Sequence, residues 1–166
     1  MLPFILAPLA GFVGAAVVDA FYEVFLDDFD TYRDGTPVKP VRGSIVWHDM
    51  FNLAHTGIYV GNGEVVHLTG KTSTSSIEKE PFDKFAPGWT ILVSSKGTSA
   101  VGCERAAAYA EKCVGEKRDY NLFKHNCHGF IVECLTGIKQ DEVRTRKPSK
   151  EVAKHIGMDC WRRLDK

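Results

Sequence analysis

The sequence has no excess charge of either sign: 21 basic residues stand against 21 acidic ones. It has no long basic run and no zinc-finger spacing, which removes the electrostatic footprint of a nucleic-acid binder. The locally basic stretches, Arg144 to Lys150 and Trp161-Arg-Arg, read as a solvated face. There is no internal repeat, so a repeat architecture is excluded. There is no tight disulfide framework either. The five cysteines (Cys103, Cys113, Cys127, Cys134 and Cys160) are odd in number and loosely spaced, which argues for a reducing compartment. Finally, no Lys or Arg precedes the apolar N-terminal run, and a secretory signal wants one there.

What is present fits one soluble globular domain: 166 residues, 44% hydrophobic and 25% charged. Met1 to Val18 is uncharged and mostly apolar, interrupted by Pro3, Pro8, Gly11 and Gly14 and followed by an acidic flank. A membrane span wants about 20 apolar residues, so this run is borderline. Three readings stay open: a helix packed on the domain or a partner, an anchor touching a membrane, and a cleaved signal. The expected location is cytoplasmic, peripheral to a membrane or anchored in it. The chain divides into an apolar N-terminal helical segment (1–30), a central domain (31–140) and a C-terminal helical tail (141–166).

The pattern predicts strands at Gly43 to Trp47, Ala54 to Val60, Glu64 to Leu68, Ser76 to Lys79 and Trp89 to Ser95. Gly61-Asn-Gly63 is a hairpin signal. Pro81 to Gly88 reads as a loop. Helices are predicted over Ser99 to Val114 and Asn126 to Thr136, each stopped by a glycine. A last amphipathic stretch begins near Pro148, with Val152, Ile156 and Trp161 on or near one face. The fold class is α+β, a small antiparallel sheet packed against helices.

Two segments carry chemistry. One is His55-Thr-Gly-Ile-Tyr-Val-Gly-Asn-Gly-Glu-Val-Val-His67, on the hairpin. The other is Tyr120-Asn-Leu-Phe-Lys-His-Asn-Cys127-His-Gly-Phe, at the start of a helix. A cysteine attacks as thiolate, and a helix N-terminus and a nearby imidazolium both lower its pKa. Asn126 suits the N-cap, which puts Cys127 in the first turn, where backbone N–H groups could also hold an oxyanion. The histidines cooperate only if they share a face. A hairpin centred on Gly61 puts His55 directly opposite His67, whereas a two-residue Asn62-Gly63 turn puts them on opposite faces. The catalytic reading therefore predicts the odd loop. On it, His55 takes the proton from Cys127 and His67 holds the tautomer of His55.

His-x-Gly-Ile-Tyr-Val-Gly-x-Gly-x-Val-Val-His-Leu and Tyr-x-Leu-x-x-x-Asn-Cys-x-x-Phe resemble the lecithin:retinol acyltransferase-like family, over about Val41 to Gly137. Those proteins are circularly permuted relatives of papain and of NlpC-type enzymes, with histidine before cysteine. The resemblance implies a permuted papain-like fold and a Cys-His-His triad of Cys127, His55 and His67. Asn126, Tyr59 and His128 are the candidates for supporting the site or its oxyanion. It implies no metal and no cofactor, and a lipid or other acyl-containing partner, with membrane contact through residues 1–18. One departure is plain: His128-Gly129 stands where the family usually reads Glu-His.

Three readings follow. The first is a phospholipase-like acyltransferase or acyl hydrolase that works through a thioester on Cys127. The second is a peptidase or amidase of NlpC type with the same thiol chemistry. The third is not thiol catalysis: an interaction module, or a metal site drawn from His48, His55, His67, His125, His128 and Cys127.

Overall fold

Strand alternation sorts the core into two faces, and that sorting places every candidate side chain. The computed structural model describes residues 29–50, 53–69, 74–119, 127–139 and 155–166. The apolar run 1–18, the Pro148 to Val152 stretch, His125 and Asn126 lie outside them. In chain order the elements are β1 (Asp30–Tyr32), β2 (Ile45–Met50), β3 (Leu53–Gly61), β4 (Glu64–Leu68) and β5 (Thr74–Pro81). Then come α1 (Phe82–Phe85), β6 (Leu92–Lys96), β7 (Ser99–Ala100), α2 (Glu104–Lys112), β8 (Lys117–Asp119), α3 (Cys127–Thr136) and β9 (Cys160–Arg163).

Among the described residues the strands form one sheet in the order β1-β9-β6-β2-β3-β4-β5-β8, with β7 paired to β6. All neighbours are antiparallel except β1 and β9, which run parallel. The α+β class therefore holds, but the sheet is mixed and large rather than small and wholly antiparallel.

On one face Ile45, Trp47, Ile58, Val66, Leu68, Ile77 and Leu92 meet α2 and α3 in the main core. The small residues Ala106, Ala107 and Ala110 let α2 lie close to the sheet. Helix α3 is apolar nearly all round, so it is buried. Its one buried acid, Glu133, accepts from both terminal nitrogens of Arg118, each at 3.0 Å, and from the Tyr109 hydroxyl at 2.9 Å. Full pairing is what a carboxylate at 0% exposure requires, and it ties the cysteine-bearing helix to β8 and α2. On the opposite face Val38, Val46, Val65, Phe85, Ala86, Ile91, Val93 and Leu164 form a smaller second core.

Three expectations are corrected. The C-terminal amphipathic stretch ends in a strand, not a helix: β9 lies between β1 and β6, with Trp161 fully buried edge-on against Trp47 at 6.0 Å. The apolar spacing that suggested a helix is outweighed by four backbone pairings with β6. The helix expected from Ser99 starts only at Glu104, because Ser99–Ala100 turns back along β6. The Pro81 to Gly88 loop contains the single turn α1.

Candidate active site

The β3–β4 hairpin builds the histidine pair in a way the turn signal alone does not reveal. Its turn is the two-residue Asn62-Gly63 type, with positive φ of 54° and 76°. By itself that turn would send His55 and His67 to opposite faces. A β-bulge between Tyr59 and Gly61 adds one residue to β3 and restores the parity. Ile58 then faces Val66, so Gly57 stands opposite His67 and His55 lies on the diagonal. The expected hairpin centred on Gly61, with the histidines directly opposed, is thus replaced by a bulged one with the same facial outcome. The carbonyl of the bulge residue Val60 accepts from Arg42, which also pairs with Glu104 and Glu111 of α2.

On that face Nε2 of His55 lies 2.8 Å from Nδ1 of His67, and Nε2 of His67 lies 3.0 Å from Oε2 of Glu80. Phe85 of α1 is wedged against the cluster, its ring 5.3 Å from that of His55 and 5.2 Å from that of His67. His48, paired with His55 across β2 and β3, packs on the same Phe85 at 5.0 Å. Burial lowers the His48 pKa, against the opposing backbone contacts of Asp49 and Phe85. Gly57 is needed here. A Cβ at this position would stand 2.4 Å from Cγ1 of Val65 and 3.2 Å from the Phe85 ring.

Cys127 is the first residue of α3 and is buried. Its sulfur lies 3.8 Å from the Ala54 carbonyl, to which the thiol donates, and Thr56 is near enough to favour its charged form. It therefore meets β3 at the two residues flanking His55. By alternation the Thr56 side chain leaves β3 toward the helices, and the His55 ring leaves it toward Phe85. Burial pushes the Cys127 thiol up, and the hydrogen bonds from Thr56 and from the backbone of His128 and Cys127 only partly oppose it. The lowered pKa expected for this cysteine is not found in this arrangement. The helix end supplies partial positive charge, but burial opposes charge on sulfur more strongly.

The supporting candidates separate. His128 is buried with Nδ1 3.1 Å from Oγ1 of Thr56, and burial drives its pKa down to about 4, so it is neutral near pH 7. It secures α3 to β3. Tyr59 belongs to the hairpin turn: its hydroxyl accepts the Gly63 N–H at 3.3 Å, and its ring stacks on Phe82 at 5.5 Å. Asn126 lies outside the described residues. Glu80 was not anticipated, because only the β4–β5 register, Val65 against Glu80, brings it beside His67. Among the described residues no three His, Cys, Asp or Glu side chains gather to hold a metal ion. No described helix is long and apolar enough to cross a membrane.

Histidines on a bulged hairpin, followed in sequence by a cysteine at a helix start, define a class that comparison with known proteins makes specific. The sequence profile of the lecithin retinol acyltransferase family matches residues 38–140, and the chain belongs to that family. It is similar to human phospholipase A and acyltransferase 2, with 25% identity over 122 residues, 63% of this chain and 75% of the relative. It is also similar to phospholipase A and acyltransferase 3 of human and of Pongo abelii. Each is 29% identical over 109 residues, 54% of this chain and 67% of the relative.

Proposed function

We propose that the chain is a thiol acyltransferase or acyl hydrolase acting on lipid esters through a thioester on Cys127. The observation that carries this reading is the hydrogen-bonded His55–His67 pair on the strand whose flanking residues Ala54 and Thr56 touch Cys127. The family and the printed names of its relatives supply the substrate class. The order of the parts, histidine strands before cysteine helix, supports a permuted papain-like relationship.

Because the resting thiol is protonated, deprotonation accompanies attack. The His55 ring leaves β3 on the face turned from α3, so the Sγ proton passes to it through an intervening water as sulfur bonds to the ester carbonyl carbon. Backbone N–H groups at the start of α3 receive the developing oxyanion. Collapse breaks the ester C–O bond, and the leaving alkoxide takes the proton from His55. Water or an acceptor alcohol or amine then gives its proton to His55 and attacks the thioester, releasing acyl product and restoring the thiol. A lipid substrate suits an apolar N-terminal run held at a membrane surface.

The test is mass spectrometry after incubation with phosphatidylcholine vesicles, looking for an acyl adduct on Cys127. Cys127→Ala should lose the adduct and at least about a thousandfold of the rate while keeping its circular dichroism. Turnover by Cys127→Ala at the wild-type rate would sink the thioester mechanism. Cleavage of a peptide amide with no lipid adduct would transfer the same chemistry to the amidase reading.

A further inference from the structure

We infer that Glu80 is a positioning residue that sets the direction of proton transfer through His67 and His55. The inference rests on the proposed role of His55 as base, and on three aligned groups that the β3–β4–β5 meander brings to one face. A carboxylate only accepts hydrogen bonds, so at 3.0 Å from Oε2 of Glu80 the His67 Nε2 carries the hydrogen. A neutral imidazole has one N–H, so Nδ1 of His67 presents its lone pair. That lone pair faces Nε2 of His55 at 2.8 Å, so this nitrogen is the donor. The basic nitrogen of His55 is then Nδ1, the one turned away from His67.

The polarity of the whole relay follows from one negative charge at its end. Without that charge His67 can carry its hydrogen on Nδ1 instead. Its donor would then face His55, force Nε2 of His55 to accept and move the hydrogen to Nδ1, which removes the base. Both members of the His67–Glu80 pair are shielded, with side chains only 5% and 18% exposed, so water competes weakly for either. The neighbouring cation does not compete: Lys79 points to Glu64 instead, at 3.3 Å. Glu80 touches neither sulfur nor acyl group, and acts only through His67.

Glu80→Gln keeps the shape and removes the charge. In protein labelled with ¹⁵N-histidine, the wild type is expected to show His55 and His67 each protonated on Nε2 and bare on Nδ1. Glu80→Gln is expected to show mixed tautomers at both rings. With p-nitrophenyl butyrate its kcat should fall about tenfold to a hundredfold, less than loss of a carboxylate adjacent to the base, while KM changes less than about twofold. Wild-type tautomers retained in Glu80→Gln at an unchanged kcat would overturn the assignment. A wild-type spectrum with His67 protonated on Nδ1 would overturn it even if the variant fails to fold. Tautomers that scramble in the variant support the assignment even if the wild type forms no acyl adduct, an outcome that would count against the thioester reading alone.

Discussion

At the scale of single residues, burial decides the charge state of the site more than any motif does. Cys127 is a helix-first cysteine, yet its environment raises its pKa. At pH 7 and without substrate, iodoacetamide is therefore expected to modify half-buried Cys103 before Cys127, as peptide mapping of the first labelled thiol would show. Preferential labelling of Cys127 would mean the thiolate is already formed. His128 gives a second expectation. Its pKa falls from an ordinary 6.5 to about 4 in the fold. Between those values the unfolded chain binds more protons than the native one, so stability rises with pH. The contribution is full above about pH 6.5 and is lost as pH falls toward 4, on the order of 3 kcal/mol in total. Urea unfolding from pH 7 to 4.5 should show a shallower decline for His128→Gln than for wild type, with His48 supplying part of what remains. An unchanged slope would mean His128 is not buried neutral. Cys127, His55 and His67 could be picked out as candidates because residue type and order are visible in the sequence. Glu80 could not, since only strand register makes it a neighbour of His67.

At the scale of elements, the hairpin shows how two histidines can share a face although the turn expected to place them there is not the one that forms. Asn62-Gly63 signals a two-residue turn, and that signal holds. The bulge that corrects the facing of the histidines has no residue signature of its own, since Val60 is an ordinary strand residue. What fixes it is distant in sequence: Arg42, gripped by Glu104 and Glu111, donates to the Val60 carbonyl. Arg42→Met keeps the aliphatic stem and removes the donor. Arg42 is one-third exposed, so its ion pairs contribute little. The expected loss of stability is about 1–2 kcal/mol, mostly from the unpaired carbonyl. The expected loss of kcat should exceed that of a surface control such as Arg163→Met, because relaxation of the bulge separates His55 from His67. Stability loss without any change in kcat would show that the hairpin holds its bulge unaided.

At the scale of the whole molecule, the family match and the sheet do not end at the same place. The match stops at residue 140, after both histidines, Glu80 and Cys127. The sheet, however, needs β9, which pairs with β6 at Leu92 to Ser95 and brings Trp161 under Trp47 and Phe29. Local pattern concealed this because Cys160–Arg163 is too short to show a strand period, while the preceding apolar residues mimic a helical one. The large antiparallel part of the sheet was legible from alternation and Gly/Asn turns. The closing strand was not, because its partner lies some sixty-five residues earlier. A chain ending at Lys139 would hold the whole proposed active site and still leave the β6 edge and the Trp47 face uncovered. It is expected to be insoluble or to bind a hydrophobic dye strongly. Trp161→Ala in the full chain isolates the packing part of that effect. It should lower the unfolding free energy by about 3–5 kcal/mol in urea denaturation, and Trp161→Phe by clearly less. If Trp161→Ala unfolds at the wild-type midpoint, the packing of β9 is dispensable to the stability of the fold.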